Sequence, residues 1–238
     1  YGIIMGFHRG PKIVTDGLIF AVDAGSKRSY PGSGTDVKDI AGNHPGGTLS
    51  GGTTIIDNNY FHFDGSDDSL AFATNDVFEL GTTSFTMEAW ARLNDNTGTS
   101  NFNAIIGGGN PLCDGCNGGY FLFYNGTDAV SINLRFDDSG LGNLDSLSYN
   151  NGTTFEDGII HHVVGLRDGS NTKIYLDGAL VATGTDNSPN VNDISTFYVS
   201  GWSNYRGDMD VGLARLYNKP LTADEVLQNY NAQKSRFI

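Results

Sequence analysis

The stretch "HHVVGLRDGSNTKIYLDGALVATG" (residues 161–184) decides the fold class. Apolar and polar residues alternate along it, and its two Asp-Gly pairs separate the alternating runs, as in β-hairpins. Successive side chains of a strand point to opposite faces, so His161 and His162 cannot jointly ligate one metal ion. We therefore interpret the stretch as a meander of strands and turns, and not as a metal or acid–base site.

The same alternation recurs along most of the chain. Three further examples are "GLIFAVDAG" (17–25), "YFHFDG" (60–65) and "SFTMEAWAR" (84–92). Each run is short and is bounded by Gly, Asn, Asp or Ser. Many short alternating runs predict an all-β sandwich rather than a fold of alternating strands and helices. No change of composition marks a second domain.

One helix is predicted, near the end of the chain, in "PLTADEVLQNYNAQK" (residues 220–234). Thr222 and Glu225 have the spacing of a capping box, and Leu221 and Val226 have the spacing of a hydrophobic staple. Three residues of this helix are expected to dock on the sheet: Val226, Leu227 and Tyr230.

Turn-forming residues dominate the composition, because the 238 residues include 33 Gly, 23 Asp and 23 Asn but only 4 Glu and 6 Lys. The formal net charge of −13 argues against binding to nucleic acid or to an anionic membrane, since both need a basic surface. No apolar run approaches the roughly 18 residues that span a bilayer. The opening residues also lack the apolar core of a secretory signal.

Four blocks of the sequence resemble laminin G-like domains, which are concanavalin A-like jelly rolls. The meander resembles the family segment "WHHVAxxxDGxxxxLYVDGxLV", with Ile160 in place of the usual Trp. Three other blocks follow in the family's order: "YFHFDGSDDSL" (60–70), "SFTMEAWAR" (84–92) and "GDMDVGLARLYNKPLTADEV" (207–226). The resemblance implies a jelly-roll β-sandwich of two antiparallel sheets with a short C-terminal helix.

The opening block "RGPKIVTDGLIFAVDAGSKRSYPGSGT" (residues 9–35) resembles the start of laminin G-like proteins of tailed bacteriophages. This resemblance implies an extracellular virion surface protein, a head decoration or fibre component, that contacts host glycans. Fold alone does not define function. Two alternatives therefore stay open, an extracellular carbohydrate-binding or cell-adhesion module and a glycoside hydrolase of the same fold.

The acidic residues disfavour the hydrolase. Retaining hydrolysis needs two carboxylates about 5–5.5 Å apart, and laminarinase-like enzymes of this fold carry them as Glu-x-Asp-x-x-Glu. The chain has no such pattern, and its four Glu residues are far apart in sequence. We interpret Glu88, which shares a strand face with Trp90, as an exposed strand residue. The prediction is a protein without enzymatic activity.

Calcium is the one cofactor that the family resemblance implies. Laminin G-like domains often hold a calcium ion at the edge of the sandwich, bound by carboxylate and carbonyl oxygens. The matching segments carry five candidate ligands: Asp64, Asp67, Asp68, Asp208 and Asp210. The alternative is that these residues form solvated turns, which are common in a chain rich in Asp.

Cys113 and Cys116 form an isolated C-x-x-C pair in "NPLCDGCNGG" (residues 110–119). The neighbouring glycines disfavour the helix of a thioredoxin-like motif, and a zinc ribbon needs a second cysteine pair. We favour a local disulfide, with free thiols or a metal site as alternatives.

The segment "GWSNYRGD" (residues 201–208) is the candidate glycan site. Four residues are assigned to it: Trp202, Asn204, Tyr205 and Arg206. The aromatic pair offers apolar faces to sugar C–H groups, and the other two offer hydrogen bonds to hydroxyls, a mixture typical of small-ligand sites. The alternative is that Trp202 completes the core beside Phe197 and Val199.

Residues 1–16 precede the sandwich domain, which we assign to residues 17–238. Apolar residues alternate there with Gly and Pro, a pattern that does not suit an isolated helix. An arm this apolar would promote aggregation if it were free in solution. We predict an extended arm that lies against its own sandwich or adds to other copies or other virion proteins. Four residues carry the assembly prediction: Ile3, Ile4, Phe7 and Ile13.

Overall fold

The computed structural model describes residues 12–95, 102–109, 118–125, 131–137, 144–150, 152, 154–185, 190–192, 194–202 and 205–238. Within these ranges the chain forms strands, a short 3₁₀ helix (Asp76–Phe78) and the helix α1 (Ala223–Phe237). In chain order the strands are β1 (Leu18–Asp23), β2 (Asp36–Val37), β3 (Gly47–Ser50), β4 (Thr54–Ile56), β5 (Tyr60–Asp64), β6 (Ser69–Ala73), β7 (Phe85–Asp95), β8 (Phe102–Gly109), β9 (Gly119–Asn125), β10 (Ser131–Asp137), β11 (Leu144–Asn150), β12 (His161–Asp168), β13 (Asn171–Leu176), β14 (Ala179–Thr185), β15 (Thr196–Val199) and β16 (Asp208–Tyr217).

The strands of the described residues form two sheets that pack face to face. The first sheet has the order β14-β13-β12-β7-β16-β5-β4, and β1 pairs with β16 beside β5. The second sheet has the order β11-β10-β9-β8-β15-β6-β3-β2. The pairings in both sheets are antiparallel. This confirms the predicted all-β sandwich.

Alternate residues of each strand fill the space between the sheets. In β7, Phe85, Met87 and Ala89 enter this core, as the period-two pattern predicts. The sheets approach closely at Gly165 of β12, where an added Cβ would lie 2.8 Å from Cδ1 of Leu134. A side chain at position 165 would therefore require the side chain of Leu134 to move.

The stretch 161–184 folds as the predicted meander, with β12 paired to β13 and β13 paired to β14. Asp177 and Gly178 connect β13 to β14 with φ angles of 51° and 82°. A two-residue type I′ turn needs positive φ at both positions, which explains the Asp-Gly pair. His161 packs edge-on against Phe155, whereas His162 is fully buried on the opposite face of the strand. The two histidine side chains thus lie on opposite faces of β12, as predicted.

The helix α1 begins as the sequence indicates. Thr222 and Glu225 form the capping box, since the side chain of each accepts a hydrogen bond from the backbone N–H of the other. Leu221 and Val226 are both buried in one apolar cluster at this end of the helix. The capping box and the staple together fix the direction in which α1 leaves β16.

Helix α1 covers the outer face of the first sheet. Val226 is fully buried, and Tyr230 stacks on Trp90 with ring centroids 5.7 Å apart. Leu227 is 45% exposed, and its side chain borders Gly178 in the turn between β13 and β14, so it covers only the edge of the sheet.

The described end of the N-terminal arm lies between β16 and α1. Val14 is buried, its N–H donates to Oδ1 of Asn229 at 2.7 Å, and its carbonyl oxygen accepts from the hydroxyl of Tyr217 at 3.2 Å. Ile13 is half-buried. The other three residues of the assembly prediction lie outside the described residues: Ile3, Ile4 and Phe7. The role of the arm in assembly stays a prediction.

Candidate functional site

Aromatic side chains gather on the outer face of the second sheet, over β8 and β9. We call this set the aromatic platform: Phe102, Phe121, Phe123, Trp202 and Tyr205. The rings of Trp202 and Tyr205 stack with centroids 4.7 Å apart and an angle of 10° between their planes. Phe121 and Phe123 are buried beneath, whereas Trp202 and Tyr205 remain partly exposed. The platform therefore presents ring surface to solvent on a packed aromatic base.

The backbone before Trp202 explains its position. Phe197 and Val199 enter the core between the sheets, but Ser200 and Gly201 then adopt positive φ angles of 59° and 78°. This reversal places Trp202 against Phe121 on the outer face, with ring centroids 5.1 Å apart. The interpretation of Trp202 as a core residue is therefore wrong. Asn204, assigned to the same site, lies outside the described residues.

Three of the predicted calcium ligands lie together where β5 is connected to β6. We call this group, Asp64, Asp67 and Asp68, the acidic loop. One carboxylate oxygen from each of Asp64, Asp67 and Asp68 lies within 4.8 Å of the other two. Asp68 is buried; its Oδ2 accepts a hydrogen bond from the backbone N–H of Asp64 at 2.9 Å. Its Oδ1 has no hydrogen-bond partner in the described part of the chain. This set of oxygens, including a buried oxygen without a donor, fits a hard cation such as calcium.

The electrostatics of this acidic loop agree with its geometry. Burial raises the pKa of Asp68, the N–H of Asp64 lowers it, and the neighbouring carboxylates of Asp64 and Asp67 raise it again. The pKa of Asp68 is raised overall because burial shields its carboxyl from water and two further carboxylates lie beside it. A bound cation would relieve this repulsion.

Arg206 joins the acidic loop to the aromatic platform. Its Nη1 donates to the carbonyl oxygen of Ser66 at 3.3 Å, and its Nε donates to the carbonyl oxygen of Gly201 at 3.4 Å. Gly201 itself packs on the backbone of Asp68, where an added Cβ would lie 2.3 Å from the carbonyl oxygen. The loop and the platform are thus adjacent parts of one surface.

The two remaining calcium candidates, Asp208 and Asp210, have other partners. Asp210 is buried, and its Oδ1 lies 2.8 Å from Nδ1 of His62 while its Oδ2 accepts from Nε of Arg92 at 2.9 Å. The amide of Asn94 donates to Oδ1 of Asp208 at 3.0 Å and to Oδ2 of Asp210 at 3.1 Å. The structure therefore separates the five candidates into an acidic loop and an ion-pair cluster.

A buried polar cluster that the sequence did not indicate lies under α1. Oε1 of Glu88 lies 2.9 Å from Nε2 of His162 and accepts from Nη1 of Arg215 at 3.1 Å. Oε2 accepts from the Tyr217 hydroxyl at 3.1 Å and from the Asn229 amide at 2.9 Å. All five side chains are buried. The interpretation of Glu88 as an exposed residue is wrong because α1 covers its strand face.

Charge holds Glu88 in its ionised form. Burial alone would raise its pKa, but Arg215, His162 and Tyr217 outweigh burial and lower the pKa to about 2. A carboxylate enclosed in this way neither meets a substrate nor exchanges a proton near neutral pH. The sequence contained only a partial signal: Glu88 shares its strand face with Trp90, and a C-terminal helix must cover some sheet face, but the sequence does not show which face.

Two further observations concern the rest of the chain. Cys113 and Cys116 lie outside the described residues, so the disulfide stays a prediction. In the part of the chain that the structure describes, no helix is long and apolar enough to cross a membrane.

Two stacked antiparallel sheets with this strand order define a concanavalin A-like jelly roll. Residues 64–227 match the laminin G family of the concanavalin A-like lectin/glucanases superfamily, and the chain belongs to that family. No curated protein matches the sequence.

Solved structures share this fold at low sequence identity. The binding domain of botulinum neurotoxin serotype G is 15% identical with a TM-score of 0.68, and the match covers 92% of this chain and 51% of that chain. The receptor-binding domain of the botulinum neurotoxin C/D mosaic serotype is 14% identical with a TM-score of 0.69, covering 92% and 52%. The Trypanosoma rangeli sialidase in complex with sialic acid is 18% identical with a TM-score of 0.63, covering 93% and 34%. The chain thus spans about half of the toxin domains and about a third of the sialidase.

Proposed function

We propose that the chain is a non-enzymatic carbohydrate-binding module whose contact surface is the aromatic platform with the adjoining acidic loop. The observation that carries the proposal is the stacked pair Trp202 and Tyr205, partly exposed on a buried aromatic base. The C–H faces of sugar rings pack on such apolar surfaces, and a few polar groups beside them fix the orientation. Arg206 supplies the nearest polar group.

Two of the similar structures support a carbohydrate ligand. The binding domain of botulinum neurotoxin DC, 13% identical with a TM-score of 0.65, is in complex with SialylT. The Trypanosoma rangeli sialidase is in complex with sialic acid. Both proteins contain this fold, and both are in complex with a sugar-bearing ligand.

The absence of enzymatic activity is part of the proposal. The carboxylates of Glu88 and Asp210 are fully buried and are paired with Arg215 and Arg92. Such enclosure leaves neither of them facing a substrate as general acid or nucleophile. Incubation with oligosaccharides is expected to release no reducing sugar.

Calcium is proposed as a structural cofactor of the same surface. Asp64, Asp67 and Asp68 would hold the ion, with the buried Oδ1 of Asp68 as one ligand. When bound, calcium supplies positive charge that neutralises the three carboxylates. Arg206 ties the loop to the platform through Ser66, so that a fixed loop also fixes one border of the glycan surface.

A glycan array tests the proposal with four proteins. Wild type is expected to bind a subset of glycans, Trp202→Ala to lose that binding, and Trp202→Phe to keep part of it because a ring remains. Leu227→Ala is the matched control, since Leu227 is an exposed apolar residue on the helix of the other sheet. Equal binding by Trp202→Ala and wild type, or reducing-sugar release by wild type, would contradict the proposal.

We further propose that this binding module belongs to a virion surface, as a head decoration or fibre component. The observation that favours this role is the resemblance of residues 9–35 to the opening of bacteriophage laminin G-like proteins. The test is purification of assembled particles followed by quantification of the chain. A copy number set by the particle symmetry supports the role, and absence from washed particles refutes it.

A further inference from the structure

A cavity opens where the pairing of β16 changes. Over Asp208–Val211, one edge of β16 pairs with β5, and over Leu213–Tyr217 the same edge pairs with β1. Next to this position, a cavity of about 550 Å³ lies between two segments of the chain. One segment is residues 24–32, which follow β1, and the other is residues 53–58, which include the edge strand β4. Small-molecule sites have volumes of about 300–1,000 Å³. The space is therefore large enough for a sugar.

The walls of this cavity combine apolar and polar groups. The inner wall contains Ala24, Tyr30 and Ile55, of which Ala24 and Tyr30 are buried and Ile55 packs against the core. Tyr30 is held in place because its hydroxyl donates to the carbonyl oxygen of Gly34 at 3.0 Å. The inner wall thus contributes a small, fixed apolar patch, which the C–H face of a sugar ring could contact, to a cavity whose exposed lining is mostly polar.

The rim carries three exposed polar side chains, those of Lys27, Thr54 and Asn58. None of the three forms an ion pair or a side-chain hydrogen bond with the part of the chain that the structure describes. Together they present an ammonium group, a hydroxyl and an amide towards the cavity. A ligand that matches this set has one negative charge and several hydroxyls.

Among the described residues, the exposed cations Lys27, Arg28 and Lys38 form no ion pair, and Lys27 is the one of these three that lines the cavity. Two other cations are paired with carboxylates, Arg92 of β7 with Asp210 and Arg236 of α1 with Asp23. An unpaired Lys at a cavity mouth favours an anionic ligand locally, even though the net charge of the protein is negative.

We propose that this cavity binds a carboxylated pyranose, a sugar acid of the uronic type. Lys27 contacts the carboxylate, Thr54 and Asn58 bind ring hydroxyls, and the apolar wall of Ala24 and Tyr30 receives the ring. The site goes beyond the carbohydrate-binding function proposed above, because it lies at the first sheet whereas the aromatic platform lies on the second sheet.

A second, smaller cavity beside the first leaves room for a saccharide longer than one unit. It has a volume of about 200 Å³, shares Thr53 with the first cavity and is lined largely by backbone at Gly51, Gly52 and Gly34. A second sugar unit attached to the bound sugar acid has room there. The extended site would thus take the acidic unit of a longer chain.

The test is an NMR titration of the ¹⁵N-labelled protein with methyl glucuronide, with methyl glucoside and with inorganic sulfate as separate probes. Methyl glucuronide is expected to shift the amide signals of Gly25, Lys27 and Thr54 with a Kd of about 1 mM. The glucoside and sulfate are each expected to bind about tenfold more weakly, because each lacks one half of the recognised chemistry.

Three variants locate the binding. Lys27→Gln is expected to weaken methyl glucuronide binding about tenfold, whereas Lys38→Gln, which removes the same charge at another exposed Lys, is expected to leave it unchanged. Trp202→Ala is expected to keep it, which separates this site from the aromatic platform. Equal losses in Lys27→Gln and Lys38→Gln, equal affinity for glucoside, or binding as tight for sulfate alone would each overturn the proposal.

Discussion

Nε2 of His162 lies 2.9 Å from Oε1 of Glu88, and both side chains are completely buried beneath α1. Glu88 also accepts hydrogen bonds from Arg215 of β16 and from Asn229 of α1. One carboxylate therefore connects three strands of the first sheet to the helix that covers them. The N-terminal arm joins the same cluster, because Asn229 accepts a hydrogen bond from Val14.

Glu88→Gln is expected to destabilise the protein by about 3–5 kcal/mol, because it leaves the buried guanidinium of Arg215 without an anionic partner. Urea unfolding followed by tryptophan fluorescence measures the change. The matched control is Asp224→Asn, which makes the same acid-to-amide change in the exposed first turn of α1 and should cost no more than about 1 kcal/mol. Equal costs for the two variants would show that the buried carboxylate has no special role.

Acid should remove the contribution of Glu88. Its pKa is lowered from 4.5 in a model peptide to about 2 in the fold. A carboxyl with a lowered pKa stabilises the fold fully above its unfolded pKa and loses that effect as the pH falls through its folded pKa. We therefore expect wild type to lose stability between pH 4.5 and about pH 2, and Glu88→Gln to show a shallower loss in the same chemical denaturation series.

The opposite pH dependence is expected from His161. Burial lowers its pKa, but the hydrogen bond to Asp177 at 2.9 Å and the charges of Asp177 and Asp157 outweigh burial and raise it above 6.5. A raised His pKa stabilises the fold fully below the unfolded pKa, and the effect disappears as the pH rises through the folded pKa. Urea midpoints are expected to fall above pH 6.5 in wild type. His161→Gln should flatten this part of the profile, and an unchanged slope in the variant would assign the pH dependence to other groups.

Calcium is expected to raise the melting temperature through the acidic loop. At a concentration about 100-fold above its Kd, a ligand of the folded state adds about 2.7 kcal/mol to the free energy of unfolding. Differential scanning calorimetry with calcium and with EDTA measures the shift. Asp68→Asn should abolish it while keeping the hydrogen bond from Asp64, and Asp36→Asn, a change at an exposed strand residue, should not. Identical melting curves for wild type with calcium and with EDTA would exclude the site.

The features that could be predicted from sequence are local ones. Alternation assigned Phe85 and Met87 to the core, and the Asp-Gly pair at Asp177 predicted the hairpin because few residue types tolerate two positive φ angles in succession. The capping box of Thr222 and Glu225 likewise depends on residues three positions apart. In each case, the physical cause lies within a few residues of the pattern itself.

The features that could not be predicted depend on distant segments. Alternation placed Glu88 on one strand face, but only the position of α1 determines whether that face is exposed. Trp202 lies outside the core because the positive φ angles of Ser200 and Gly201 reverse the direction of the backbone. The sequence does not indicate that a Ser residue will adopt a positive φ angle. The aromatic platform and the cavity beside Lys27 likewise combine strands that are far apart in sequence.

Removal of residues 1–11 tests the assembly role of the arm without disturbing the fold. Because Val14 supplies the hydrogen bonds to Asn229 and Tyr217, a chain that begins at Lys12 should melt like the full chain but no longer assemble with its own copies or with particles. Removal of residues 1–14 is the control, because loss of those bonds should cost about 1–3 kcal/mol. Light scattering after size-exclusion chromatography and copurification with particles measure assembly. Unchanged assembly of the chain that begins at Lys12 would refute the role of the arm in assembly.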